Sequence, residues 1–309
     1  MLTQLPQAEP GTYDDDLHQI AVKPRGTFYV AYKSLLASRV ATLAALLVVT
    51  LVIVAVFAPL IAPHPPGQMH LTDRMLWPVW TEQRSNPTFP LGTDSLGRDI
   101  LSRLIYASQM TLVVAVSSVI LSGVIGVLLG LLTGYLGGFV DILVMRLADL
   151  QLAFPSLLIG LIVMSLLGSG VKELIFVVAL TQWAMFARIV RAEVIKVRGM
   201  EYVQAASVLG ASHLRIIFTH VLPNVVASLL IVASFTLALA IFYEAALGFF
   251  GLGIPPAIPT WGNMLAEARN VLLRNWWFAF FPGMAITVTI LAFNMLGDWF
   301  RDYLDVKIE

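Results

Sequence analysis

The stretch MTLVVAVSSVILSGVIGVLLGLLTGYL, Met110 to Leu136, decides what kind of molecule this is. It contains no charged residue, and about 20 helical residues suffice to cross the ~30 Å of hydrocarbon in a bilayer. Five further runs of the same character surround it: Val40 to Ile61, Leu150 to Val171, Leu174 to Val190, Val221 to Tyr243 and Phe278 to Leu296. The run from Leu174 is the weakest, because its uncharged part ends at Ala187, but Arg188 and Arg191 sit at one end, where long side chains snorkel to the headgroups. Six spans are therefore predicted. Unpaired backbone groups are too costly in lipid, so each run should be a helix, and the lack of short alternating segments argues against a barrel. The fold class is all-α, a polytopic membrane protein with six transmembrane helices.

Composition points the same way. Of 309 residues 58% are hydrophobic and 12% charged, about half the charge of an ordinary soluble domain, too little to cover a globule of this size. The 19 basic and 19 acidic residues cancel, which suggests neither a nucleic-acid partner nor a uniformly acidic ligand. With no cysteine there is no disulfide, thiolate metal site or cysteine nucleophile. The first run is longer than the apolar core of a signal peptide and follows a polar tail of 39 residues, so it is read as a retained anchor.

Lysine and arginine set the orientation. Lys23, Arg25, Lys33, Arg39, Arg146, Arg188, Arg191, Lys196, Arg198, Arg215, Arg301 and Lys307 fall on the side of the N-terminus. Arg74, Arg84, Arg98, Arg103, Lys172, Arg269 and Arg274 fall on the other, several of them in long loops that weigh less. Both termini are then cytoplasmic. Residues 1–39 form a cytoplasmic tail and 40–309 the membrane domain. Outer loops run from Ala62 to about Tyr106 and from about Ala246 to Trp277, and an inner loop covers about 194–223. Trp261, Trp276 and Trp277 suit either an interfacial belt or ordinary packing.

Ser118, Ser122, Gly126, Gly130 and Gly134 recur every four residues and make a gently winding stripe on which another helix can approach closely. That helix could belong to this chain or to a second membrane subunit. Ion-coupled carriers use ionisable or unwound polar sites near the membrane centre, whereas Asp141, Arg146, Asp149, Glu244 and Asp298 lie at span ends. Pro155 and Pro282 could kink their helices, although prolines are tolerated within membrane spans and a structural role is the simpler reading. His18, His64, His70, His213 and His220 all lie outside the uncharged centres, and no short metal-ligand pair sits on a span. No Gly-Lys dipeptide occurs, so the chain lacks a Walker phosphate loop. A gradient-driven carrier and a membrane-embedded enzyme are the rival classes, and neither leaves its mark here.

The inner loop holds a compact pattern. Glu201-Tyr202-Val203-Gln204-Ala205-Ala206-Ser207-Val208-Leu209 reads as a short helix with small Ala205 and Ala206 exposed, ended by Gly210 in a left-handed conformation. A second helix starts near Ser212 and runs until Pro223 breaks the chain before the fifth span. By composition alone the pair suits either docking to a partner or an amphipathic pair lying on lipid. Toward the outside, Asp99 can cap a helix leading into the second span and pair with Arg103 at i,i+4, with Gly97 allowing the turn before it. The Gly-rich run from Gly248 to Pro256 must leave regular helix and could line an outer mouth. Glu244 is the one acid placed to face a path, although snorkelling to the outer surface is the simpler reading.

Several stretches together resemble a known family. Gln204-Ala205-Ala206, then Gly210, then Leu222-Pro223 is similar to the EAA loop of ABC-importer permeases, with Gln204 in place of its glutamate and His220 where isoleucine is common. Leu91 to Asp99 (LGTDSLGRD), Gly134 to Gly138 (GYLGG), Leu247 to Gly253 (LGFFGLG), Trp261 to Leu265 (WGNML) and Ala292 to Asp298 (AFNMLGD) resemble the C-type subunit of the dipeptide/oligopeptide/nickel group. The resemblance covers roughly Ala31 to the C-terminus. It implies a type I importer-like permease fold and a coupling loop at Glu201, Gln204, Ala205, Ala206, Gly210, Leu222 and Pro223. It also implies an outer gate or path near Glu244, Gly248, Gly251 and Gly253, and an outer segment at Asp94, Gly97, Arg98 and Asp99 that is either structural or in contact with a docked binding protein. The implied partners are a second homologous permease subunit, two ATP-binding subunits that hold the ATP and magnesium, an extracytoplasmic substrate-binding protein, and membrane lipid. The chain itself would hold no cofactor and catalyse no reaction. The implied location is the bacterial inner membrane, and the implied cargo a di- or oligopeptide, with nickel, glutathione or an oligosaccharide as alternatives.

Overall fold

The computed structural model describes residues 27–81 and 83–305. Of the tail expected at 1–39, residues 1–26 lie outside the described residues, as do the final four, so Lys23, Arg25, Lys307 and both termini do too. The remainder of the tail opens with α1, Thr27–Ala37, and Ser38 then caps α2, Arg39–Val56, by accepting from the Ala41 amide. A single further turn, α3 (Ala58–Ile61), follows Phe57. A long irregular segment leads to α4, Ile100–Leu136, with no strand longer than an isolated bridge among the described residues.

Helix α4 stops at Gly137 and Gly138, both at positive φ (66° and 61°), which only glycine adopts without strain. The chain continues as α5 (Gly138–Ala153), α6 (Ser156–Leu167) and α7 (Val171–Arg198). Next come α8 (Glu201–Val208), α9 (His213–Ile216), a π-turn at Ile217–Val221, and α10 (Leu222–Phe249). Last are α11, Trp261–Ala268, and α12, Trp277–Asp305. Helices α2, α4, α7, the continuous α9–α10 and α12 are each long and apolar enough to cross a membrane, and α5 with α6 makes a sixth span if the bent pair is taken as one.

That sixth span corrects the sequence reading. The run from Leu150 is not one straight helix, because α5 and α6 meet at 94° across Phe154 and Pro155. Proline has no amide to donate and excludes the preceding residue from helical backbone, and Phe154 is extended at φ −101°, ψ 145°. Pro223 was expected to break the chain and does not. It follows the π-turn directly, and the wider turn accommodates the ring and the missing amide within a continuing helix. The π-turn before it closes with Leu222 N–H on Ile217 O, so α9 and α10 form one uninterrupted rod.

The stripe of small residues packs within the chain, against α7. A Cβ added to Gly126, Gly130 or Gly134 would lie 2.4, 2.6 and 2.7 Å from the Cβ atoms of Phe186, Val190 and Val194. Both helices advance four residues per contact, so α4 and α7 run parallel with their backbones nearly touching, and Ser118 Oγ donates to Ile175 O at 3.2 Å farther up the seam. The seam joins a core of Val114, Ala115, Leu174, Val177, Val178, Ile241 and Leu247. Helix α7, the span that looked weakest, is thus the most enclosed of the candidate spans, because its residues from Leu174 to Val197 pack against α4 and α10.

Candidate functional site

The two ends of the bundle carry the residues singled out from sequence. At one end α7 leaves the core at Gly199, and α8 folds across it, anchored by a single buried side chain, Val203, in a cluster with Val194, Val197, Ile216, Val221 and Val225. Gln204 Nε2 donates to Gly199 O at 3.1 Å. Gly210, at φ 85°, turns the chain, and Ser212 accepts from the Arg215 amide to start α9. At 100° per residue α8 has two faces. Val203, Gln204, Ser207 and Val208 look toward α4, while Tyr202, Ala205, Ala206 and Leu209 lie on the other side. Glu201 and Ala205 are exposed, Ala206 is half-buried, Leu222 is half-buried and Pro223 exposed. Val208 and Leu209 are 88% and 87% exposed, an apolar pair at the end of α8.

This end is tied to the core by polar contacts. Arg198 Nη1 donates to Tyr135 O at 2.8 Å, and its guanidinium lies over the Tyr135 ring. The Tyr135 hydroxyl meets His213 Nδ1 at 2.8 Å. Arg188 pairs with Asp149 at 2.7 Å and Arg191 with Asp141 in a bidentate contact. These pairs hold α5, whose one buried residue is Ala148.

The opposite end is built around Asp94, which is fully buried. Its carboxylate accepts from the amides of Leu96 and Arg98 at 2.8 and 2.9 Å, and from Arg98 Nε and Arg103 Nη1, both at 2.6 Å. Both arginines reach on to Glu267 of α11, Arg98 at 2.7 Å and Arg103 through two bonds of 2.6 and 2.9 Å. Two cations and two anions are thus neutralised inside the protein, the arrangement that makes a desolvated charge tolerable. Gly97 is required here: at φ 76° a Cβ would fall 1.9 Å from His70 O.

Asp99 caps α4 through the amides of Leu101 and Ser102, but its expected pairing with Arg103 does not form. Its Oδ2 instead takes the Ser102 hydroxyl at 2.5 Å and His64 Nδ1 at 3.3 Å. Glu267 was the member that sequence reasoning missed, and Arg103 was assigned to Asp99 rather than to Asp94 and Glu267. A signal existed, since Glu267 is the only acid between Glu244 and Asp298 while the outer segments are rich in arginine.

Glu244 does not snorkel. It is 1% exposed and accepts from Thr111 Oγ1 at 3.0 Å, between α10 and α4. Gly248 and Gly253 lie in a backbone seam with α11, where a Cβ on Gly253 would be 2.7 Å from Gly248 Cα, and one on Gly262 2.6 Å from Ala245 O. Of the four residues expected at an outer mouth only Gly251, at φ 78°, stands open. Trp261 and Trp277 are packed rather than interfacial: Trp261 donates to Leu104 O at 3.1 Å, and Trp277 lies tilted against Trp77 with ring centroids 3.9 Å apart. Trp276 is half exposed and keeps the belt position. No group of three or more His, Asp or Glu side chains among the described residues could hold a metal ion.

Comparison with known proteins follows this geometry. Residues 126–309 match the family described as binding-protein-dependent transport system inner membrane component, and residues 28–78 match the N-terminal TM domain of oligopeptide transport permease C. The di/tripeptide transport system permease protein DppC of Pseudomonas aeruginosa is 39% identical over 255 residues, covering 82% of this chain and 84% of that one. The dipeptide transport system permease protein DppC of Alkalihalophilus pseudofirmus is 34% identical over 301 residues, 97% of this chain and 96% of the relative. The glutathione transport system permease protein GsiD of Pectobacterium atrosepticum is 36% identical over 278 residues, 90% of each.

Proposed function

The chain belongs to the family of inner membrane components of binding-protein-dependent transport systems, and from that premise we propose that it is the C-type permease subunit of an ATP-driven importer of di- or oligopeptides. It is a multi-pass membrane protein of an ABC importer. The observation that carries the peptide reading is similarity to a dipeptide permease along 97% of the chain. The glutathione permease is itself related to a peptide carrier by its cargo, a tripeptide, and keeps that substrate as the second reading.

In this reading the α8 end faces the cytoplasm, as its exposed Arg188, Lys196, Arg198 and Arg215 favour, and both termini lie on that side. Residues 40–309 form the permease domain. Glu201, Gln204, Ala205, Ala206, Gly210, Leu222 and Pro223 belong to the coupling element. The Ala205–Ala206 face enters a cleft of a partner ATPase, small side chains allowing close contact and Leu209 supplying apolar area. Two such ATPase subunits bind ATP and magnesium, so no covalent step occurs on this chain. Their closure pushes α8, and the rod of α9 and α10 passes that displacement to the far end. There a second, homologous permease subunit completes the path, which opens to one side at a time. The outer surface held in shape by the buried charges of Asp94, Arg98 and Asp99, with Gly97 at its turn, receives the extracytoplasmic binding protein, which delivers the cargo, and Gly251 borders the mouth.

Deletion of this chain from its own cell should abolish uptake of a labelled dipeptide, and its return should restore it. Loss of glutathione uptake with normal dipeptide uptake would replace the first reading by the second. Orientation is tested separately with single cysteines at Ser85, Ser212 and Asn270, all exposed, which should label from outside, inside and outside in intact cells. External labelling at 212 would invert the assignment.

A further inference from the structure

Behind α8 lies an open groove of about 890 Å³, walled by α4 from Leu128 to Leu136, by the Val203–Val208 face of α8, and by the α9–π-turn segment. It shares Leu128 with an apolar hollow of about 490 Å³ that continues along α4 past Gly123 against Val226, Leu230 and Ala233 of α10. From Gly123 to Tyr135 the joined trough is roughly 18 Å long at 1.5 Å per residue, close to one leaflet's share of the ~30 Å hydrocarbon core. Its chemistry is graded. The part along α10 is lined by aliphatic and aromatic side chains and glycine. At the α8 end stand Arg198, Tyr135, His213, Gln204 and Ser207.

Arg198 spends one donor on Tyr135 O and takes part in none of the ion pairs among the described residues. When His213 Nδ1 accepts from the Tyr135 hydroxyl, its Nε2–H is a second donor. Lys196 and Arg215 add exposed positive charge at the same end. The acid of α8, Glu201, is not among the groove's lining residues. An apolar trough one leaflet deep, cationic at its mouth only, is complementary to a molecule with an aliphatic chain and an anionic head.

We propose that this trough seats one anionic phospholipid of the cytoplasmic leaflet, its phosphate at Arg198 and His213 and an acyl chain along α4. The choice of leaflet rests on the orientation given under the proposed function; the seat itself does not. The lipid fills the space behind the helix that meets the ATPase, on the face opposite Ala205 and Ala206. It therefore acts as a backstop against which α8 is pressed, and the supply of anionic lipid governs how much of the push reaches α10.

The complete transporter, reconstituted in nanodiscs of phosphatidylcholine, is exposed to trace photoactivatable phosphatidylglycerol or phosphatidylcholine carrying the probe in the acyl chain. Phosphatidylglycerol should label peptides covering 123–136 and 203–208 in preference to phosphatidylcholine. Arg198→Gln should reduce that labelling about fivefold, the worth of one basic residue near an anionic headgroup, while Arg198→Lys should retain most of it. Leu132→Trp, which plugs the trough and leaves the cation in place, should reduce labelling as well, and covers the case in which Arg198→Gln fails to fold. Leu166→Trp, on the exposed face of α6, should change nothing. Equal labelling by both headgroups, or labelling unchanged by both Arg198→Gln and Leu132→Trp, would overturn the proposal. So would a crosslinker at position 132 that reacts with the second membrane subunit. If Ser212 labels from outside while phosphatidylglycerol still labels the trough, the orientation fails and the lipid seat stands.

Discussion

The two ends of this bundle are held together by opposite means. At the α11 end, Asp94, Arg98, Arg103 and Glu267 exchange six hydrogen bonds and the Leu96 amide adds a seventh, and glycines bring α10 and α11 into backbone contact. At the α8 end one valine anchors a helix that otherwise presents its side chains outward. A buried charge network tolerates little displacement, because each member left unpaired is costly. A helix held by one apolar contact moves at small cost. The contrast teaches that this chain is rigid at one end and compliant at the other, which in the proposed function are the ends that receive cargo and take up force.

The sharpest way to break the contrast is to cut the stitched end. Arg103→Ala removes one partner from both Asp94 and Glu267 and should destabilise the protein by about 3–5 kcal/mol, read as lost melting temperature or lost membrane yield of the complex. A cost below about 1 kcal/mol, the range of exposed pairs, would mean that water reaches these carboxylates. Next comes the seam common to both ends. Gly130→Val forces α4 off α7 and should cost about 1–3 kcal/mol, with Gly123→Ala, whose nearest neighbour is 3.8 Å away, nearly neutral by the same assay.

At the compliant end the effects on folding shrink while those on transport stay large. Gly210→Val places a β-branched residue in left-handed backbone at a cost of about 1–2 kcal/mol, and should weaken co-purification with the ATPase while the spans insert normally. Ala206→Glu touches no core contact and should shift stability by no more than about 0.5 kcal/mol, yet abolish uptake. If both variants transport peptide and retain the ATPase, α8 rests on lipid and the difference between the ends has no mechanical meaning.

What could be read from the chain beforehand follows the same division between local and distant causes. Five spans were legible because a long apolar run leaves helix as the only solution in lipid, and the turn at Gly210 because one residue type dominates left-handed backbone. The bend at Pro155 was equally local, but only a kink was foreseen there: the residue before proline carries the signal, and within a span nothing else opposed the break. Pro223 erred the other way, since a π-turn removes the clash that would have ended the helix. Asp99 and Arg103 have the spacing of a pair, but spacing along one helix says nothing of Glu267, 164 residues away from Arg103. Glu244 looked like a surface acid because Thr111, its partner, stands 133 residues earlier. Local rules found the elements; the charge map needed the packing.

The parallel seam of α4 and α7 also sets a schedule. Antiparallel neighbours can pair as soon as the second emerges, but two helices running the same way must be separated by a full return crossing, here α5 and α6. About sixty residues must be made between the end of α4 and the end of α7, which at ~5–20 residues per second takes roughly 3–12 s. Throughout that interval the bare glycines of α4 lie in the membrane without their partner, so whatever escorts the newborn chain must shield Gly126, Gly130 and Gly134 from a wrong neighbour until the fourth crossing arrives.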